Sequence, residues 1–143
     1  MSNEILAKKN IILNCPSCTS DEAIVAIGQL LVDDGYIKPE YIKGMLERDH
    51  SLSVYIGNNL AIPHGEYDVK DYVIKGGLAV MIYPDGIDWH GEIANIIVGI
   101  AANGDEHMAI LSNIAIKLCE METVNAIIKS QSVDYIYDVL TKE

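Results

Sequence analysis

The sequence predicts an α/β fold: a mixed β-sheet sandwiched between α-helices, in a single domain spanning residues 1–143. Three observations carry that expectation. The chain has 143 residues, half of them apolar and 22% charged, which is enough for one sizeable core and is globular rather than disordered composition. The run Ile96-Ile97-Val98-Gly99-Ile100-Ala101 is apolar without alternation, so a strand there must be covered on both faces. Candidate elements then follow the order strand, two helices, several strands, helices, with no repeat, low-complexity tract or linker between them.

Taken along the chain, Asn10 to Leu13 reads as a short strand. Thr19 and Glu22 have capping-box spacing, and Ile24, Ile27, Leu30 and Leu31 behind them form a helical stripe. Asp33-Asp34-Gly35 ends that helix. Pro39 suits the first turn of a second helix, with Tyr41, Ile42, Met45 and Leu46 inward. Val54–Ile56 and Leu60–Ile62 are short strands flanking Gly57-Asn58-Asn59. Gly76–Tyr83 is a longer strand, which Pro84-Asp85-Gly86 is expected to close as a turn. Asn103 and Glu106 repeat the cap spacing ahead of a helix carrying Met108, Leu111, Ala115 and Leu118. The last helix runs from about Ser132 to Leu140, with Val133, Ile136, Tyr137 and Leu140 inward.

Charge narrows the partners. Ten Lys and Arg stand against 21 Asp and Glu, a formal net charge of −11. Nucleic acid and anionic membrane surfaces call for basic patches that this chain lacks, whereas a basic protein partner would be steered towards it. No apolar run approaches the about 20 residues that span a bilayer, and no signal-peptide core follows the N-terminal lysine pair, so a cytoplasmic protein is expected. Three cysteines fit reduced thiols in that compartment.

The most informative stretch is Gly57-Asn58-Asn59-Leu60-Ala61-Ile62-Pro63-His64-Gly65. An apolar strand end meets a proline that fixes its own φ and donates no hydrogen bond, so regular pairing should stop there. Gly65, lacking a Cβ, is expected to leave one face of the His64 imidazole open. A nucleophile or ligand needs such a placement. His107 is the second candidate. In the first turn of its helix it meets free N–H groups and the positive end of the macrodipole, where a neutral imidazole can donate to a phosphoryl oxygen; a capping or packing role is the alternative. His50, at a helix end, and His90, in the polar loop Trp89-His90-Gly91-Glu92, read as solvated. Trp89 reads as a partial loop anchor or an interface residue.

Cys15-Pro16-Ser17-Cys18 has redox or zinc spacing, but no second CxxC or HxxxH completes a zinc site, and little sheet precedes the motif. Cys119 falls on the apolar side of a helix and reads as core. GxGxxG, GxxxxGK[ST] and GxSxG are all absent, which leaves nucleotide binding and triad hydrolysis without local support.

The segment from Asp49 to Gly65 resembles the phosphorylation-site signature of the fructose/mannitol class of enzyme IIA, from the bacterial phosphoenolpyruvate-dependent sugar phosphotransferase system. Asp49, Ile56, Gly57, Leu60, Ala61, Ile62, Pro63, His64 and Gly65 fill every fixed place of that pattern. Gly44-Met45-Leu46-Glu47-Arg48, Tyr83-Pro84-Asp85-Gly86-Ile87, Val98-Gly99-Ile100-Ala101-Ala102, Glu106-His107 and Ser132-Val133-Asp134 look like the mannitol branch. The likeness covers nearly the whole chain, so a free-standing mannitol-type IIA rather than a fusion is expected. By resemblance, His64 is the phosphorylated histidine, His107 the second active-site histidine, and Arg48 an arginine that helps balance charge. Glu66 departs from the family, where a small hydroxyl residue can stand; its charge beside a phosphohistidine is mildly unfavourable.

The resemblance implies a phosphotransferase component needing no metal, nucleotide or other cofactor. It takes a phosphoryl group from phosphohistidine on the carrier HPr onto His64 and passes it to a cysteine of a mannitol-specific IIB domain. A fructose or other hexitol system, or a regulatory phosphorelay protein of the same fold, is the alternative. A thiol or metal protein built on Cys15 and Cys18 is a rival of another class. Chemistry sets one geometric expectation: attack through Nε2 requires Nδ1 to give its proton to an acceptor, here a backbone carbonyl.

Overall fold

The computed structural model describes residues 6–65, 67–101 and 104–141; the side chains at 67, 68, 70, 104–108, 110 and 111 lie outside the described set. Five strands form one mixed sheet: β1 (Leu6–Ile12), β2 (Tyr55–Gly57), β3 (Leu60–Ala61), β4 (Gly77–Trp89) and β5 (Glu92–Ala101), in the order β1-β4-β5-β3-β2. β1 is parallel to β4 and β3 is parallel to β5, while the β4–β5 and β2–β3 pairs are antiparallel. The helices are α1 (Ser20–Asp33), α2 (Glu40–Ser51), α3 (Gly104–Lys117), α4 (Met121–Ser130) and α5 (Val133–Thr141). A 3-10 helix spans Tyr67–Tyr72.

The unalternating apolar strand explains the layering. Ile97 and Ala101 of β5 face a core shared with Ile24, Ile27 and Leu31 of α1 and Tyr41 and Met45 of α2. Ile96, Val98 and Ile100 point the other way, to Ile114 of α3, Leu118 just beyond it, Val124 and Ile127 of α4, and Ile136 and Leu140 of α5. Side chains alternate across a strand, so a strand clad on both faces must be apolar at every position. At Gly99 an added Cβ would lie 3.0 Å from Ile27, so the missing side chain lets α1 pack close to the sheet.

Local chemistry fixes the elements much as predicted. Thr19 and Glu22 make the capping box, with Thr19 Oγ1 accepting from the Glu22 amide (3.1 Å) and a Glu22 carboxylate oxygen from the Thr19 amide (2.9 Å). Gly35, at φ +79°, turns the chain after α1. Asn58 and Asn59, both left-handed, form the two-residue turn between β2 and β3, a conformation asparagine tolerates.

Several expectations need correction. β1 begins at Leu6, ahead of Asn10. Pro84-Asp85-Gly86 does not close β4: the strand runs on to Trp89, and Tyr83–Gly86 stand opposite the single residue Asn95 as a large bulge. The Asn95 amide holds that bulge by donating to the carbonyls of Tyr83 (2.9 Å) and Pro84 (3.3 Å). The turn falls instead at His90 and Gly91, both at positive φ. Leu118 is buried as expected, but Ala115 is exposed and Ile114 takes the inward place; the side chains of Met108 and Leu111 lie outside the described residues. Cys119 is exposed just beyond α3, not core. α4 and the 3-10 helix went unpredicted. Asn103 and Glu66 lie outside the described residues.

Candidate functional site

The sheet topology gathers the predicted residues at one edge. β3 and β5 are parallel, so both point their C-terminal ends the same way, where α/β folds build their sites. His64 follows β3 by three residues and bridges Ile100 near the end of β5, with the Ile100 amide donating to the Pro63 carbonyl at 2.9 Å. α3 begins at Gly104, just beyond β5, and carries His107 as its fourth residue. The first turn of α3 and His64 therefore share the C-terminal edge of the sheet; the His107 side chain lies outside the described residues.

The imidazole has a defined proton. His64 Nδ1 lies 2.6 Å from the Ile62 carbonyl oxygen, which can only accept, so Nδ1 carries the hydrogen and the neutral ring keeps its lone pair on Nε2. This is the tautomer that attack through Nε2 requires. Burial exceeds the expectation of an open ring face: His64 is only 7% exposed. Gly65 also has a different reason from the one expected. Its Cβ would stand 2.5 Å from Val69 and 2.8 Å from the Tyr41 ring, so glycine is there to let the chain pack against α2 and the 3-10 helix.

Arg48 sits in the last turn of α2, where its guanidinium donates to the Leu52 carbonyl. Residues 41, 44 and 48 share one face of that helix by its periodicity. Tyr41 and Gly44 meet the segment after His64, Tyr41 at Gly65 and Gly44 at Val69. Arg48 is thus one turn further along the face that meets this segment.

Asp49 is buried at 2% exposure and fully hydrogen-bonded. Oδ1 accepts from the Val54 amide (3.0 Å) and from Trp89 Nε1 (2.9 Å), and Oδ2 meets His90 Nε2 at 2.6 Å. Trp89 is wholly buried, a core residue rather than a loop anchor, and His90 is engaged rather than merely solvated. His50 is exposed and pairs with Asp21 at 2.8 Å. Asp21, Asp49 and His50 offer donor atoms within 4.8 Å of one another. The partners just named already account for that cluster as a clasp joining α1, α2 and the β4–β5 turn.

The thiols are engaged too. Cys15 is buried and donates to the Ile12 carbonyl (3.7 Å), and burial pushes its pKa up, away from the thiolate that redox chemistry uses. Cys18 donates to the Tyr83 hydroxyl (3.7 Å). Among the described residues no helix is long and apolar enough to cross a membrane.

A histidine whose Nδ1 donates to the backbone, at the carboxyl edge of a mixed sheet beside a helix start, gives this α/β/α protein a candidate nucleophile in Nε2. Comparison with known proteins gives the family: residues 4–143 match the model of the phosphoenolpyruvate-dependent sugar phosphotransferase system EIIA 2 family, and the chain belongs to it. It is a phosphotransferase component. The mannitol-specific phosphotransferase enzyme IIA component of Geobacillus stearothermophilus is 41% identical, covering 99% of each chain. That of Halalkalibacterium halodurans is 42% identical over 92% of this chain and 91% of its own. The crystal structure of mannitol IIA from Escherichia coli superposes with a TM-score of 0.86 at 34% identity, covering 92% of this chain and 96% of that one. The IIA of the Escherichia coli complex between enzyme IIA and phosphorylated enzyme IIB for mannitol gives 0.89 at 33% identity, covering 96% of each.

Proposed function

We propose that His64 is the phosphoryl carrier of a mannitol phosphotransferase system. Nε2 attacks the phosphorus of phosphohistidine on HPr; the new Nε2–P bond forms as the donor's N–P bond breaks and its electron pair returns to the donor imidazole. The group then leaves Nε2 for a cysteine thiolate of a mannitol IIB domain. The observation that carries this reading is the hydrogen bond from Nδ1 to the Ile62 carbonyl, which fixes the nucleophilic tautomer and takes up positive charge as it builds on the ring.

Phosphoryl transfer between nitrogens has a loose transition state, so the protein chiefly aligns the partners and balances charge. The amides and dipole at the start of a helix, here α3, suit the travelling anion. His107 donates to a phosphoryl oxygen there, and Arg48 adds positive charge. The names and near-complete coverage of the mannitol IIA relatives support the sugar, and the Escherichia coli complex with phosphorylated IIB supports the acceptor. Net charge of −11 favours a basic face on the donor, and the work belongs in the cytoplasm.

The test is reconstitution with phosphoenolpyruvate, enzyme I and HPr. Acid-labile phosphate should map to His64 and vanish in His64→Ala, and the loaded protein should phosphorylate a mannitol IIB domain in preference to a fructose one. Label on another residue of the unmodified protein would overturn the assignment.

A further inference from the structure

The last rung of the ladder between the His64 strand and β5 is braced by a side chain. Pro63 and Ile100 are joined in the ordinary parallel manner, the Ile100 amide donating to the Pro63 carbonyl. In a regular parallel ladder the next bond would run from the Gly65 amide to the Ile100 carbonyl. A side chain from α2 bonds to both of these groups. The Tyr41 hydroxyl accepts from the Gly65 amide at 2.9 Å and donates to the Ile100 carbonyl at 3.0 Å. Tyr41 is fully buried, so the hydroxyl works in a dry setting where an unmet donor or acceptor is costly. The two backbone groups that close the His64–Ile100 bridge are thereby both held by one hydroxyl. The chain peels from β5 at His64, and Gly65, whose missing Cβ the Tyr41 ring would otherwise strike, passes over the ring.

We propose that Tyr41 is a positioning residue for phosphoryl transfer: its hydroxyl, bonded to both Gly65 and Ile100, fixes where the backbone leaves the sheet and so where the His64 ring stands against the Ile62 carbonyl. This rests on His64 being the carrier and adds a residue that acts through the backbone. The backbone of residues 62–65 is held at each step: Ile62 by Val54, Pro63 by Ile100, Gly65 by Tyr41. Only the last hold comes from a side chain, so it alone can be removed by substitution without touching the backbone.

Tyr41→Phe deletes the hydroxyl and keeps the ring. With phospho-HPr as donor, kcat for His64 phosphorylation should fall about tenfold with KM within about twofold, because the collision surface is untouched while alignment is lost. The 15N spectrum of the His64 ring supplies the readout that a merely structural role would not move: the separate Nδ1–H and Nε2 signals should draw together as the tautomer is released. A folded variant with unchanged His64 15N shifts overturns the proposal, whatever its rate. If the variant does not fold, amide exchange in the unmodified protein decides: the Gly65 amide must be protected as the amides of β5 are, and fast exchange there overturns it. Label mapping to a residue other than His64 in the unmodified protein would remove the carrier assignment itself, a result distinct from either.

Discussion

Asp49 and His64 are connected by three successive hydrogen bonds that run through the β2–β3 hairpin. The Asp49 carboxylate accepts from the Val54 amide; the Val54 carbonyl accepts from the Ile62 amide at 3.0 Å; the Ile62 carbonyl accepts from His64 Nδ1 at 2.6 Å. The links pass from amide to carbonyl of the same residue, across the Cα of Val54 and then of Ile62, so what they transmit is position: each bond fixes the next residue of the run. A buried carboxylate fifteen positions earlier in the sequence thus bears on where the Ile62 carbonyl stands to meet His64 and, through Trp89 and His90, ties that segment to the β4–β5 turn.

Asp49→Ala removes the acceptor for two donors at a buried site, Trp89 Nε1 and the Val54 amide, at a cost of about 1–3 kcal/mol each. Urea unfolding should show a loss of about 2–5 kcal/mol, and Trp89, the one tryptophan, reports it by fluorescence. Asp49→Asn keeps an oxygen for those two donors and presents its amide to His90, so it should lose markedly less. Equal losses for the two variants would show that the charge, not the acceptor geometry, holds the site.

The sequence pointed to the fold class and to His64 for different reasons. Ile96–Ala101 could be read because a strand clad on both faces leaves no polar position, and His64 because the stretch from Asp49 to Gly65 fits the signature of a family, its position after an apolar strand leaving a packing role open. The bulge at Pro84-Asp85-Gly86 was misread because its turn chemistry is real: Gly86 is at φ +77°, and only the tertiary staple from Asn95 shows that the strand resumes. Ala115 and Cys119 misled because helical periodicity over so short a stretch does not set the phase to one residue. Tyr41 carries no local signal of its role. It reads as an inward aromatic on an amphipathic helix, and only the long-range approach of Gly65 and Ile100 gives its hydroxyl a purpose.

His50 provides a test of the α1–α2 clasp by pH. Its hydrogen bond to Asp21, then the charge of Asp21, raise its pKa above the ordinary 6.5, with Asp49 adding a little in the same direction. A histidine whose folded pKa is raised favours folding while both states are protonated, so the contribution is complete below the unfolded value and disappears as pH rises through the folded one. Proton NMR should therefore place the His50 midpoint above 6.5, and Asp21→Asn should move it back towards that value. An unshifted midpoint in the unmodified protein would mean that the pair does not persist in solution. His50 is exposed, so added salt should also lower the midpoint.

Val69 is the wedge that makes Gly65 necessary. A Cβ at Gly65 would fall 2.5 Å from Val69 Cγ2, and one at Gly44 would fall 2.6 Å from the same atom. The valine of the 3-10 helix therefore fills the gap between α2 and the His64 segment, and both facing positions must lack a side chain. Gly65→Ala should cost about 1–3 kcal/mol of stability by overpacking. It should also slow phosphorylation of His64, since the same displacement pulls on the Tyr41 contact. Val69→Ala vacates the space that the new methyl group needs. In the Gly65→Ala/Val69→Ala protein the two effects should fail to add, with a coupling of about 0.5–3 kcal/mol in the direction of rescue. Transfer should recover alongside stability if position, and not any chemistry of the glycine itself, is what the site requires. Additive losses in the double variant would place the strain of Gly65→Ala elsewhere, at the Tyr41 ring 2.8 Å away, and Tyr41 rather than Val69 would then set the limit on this residue.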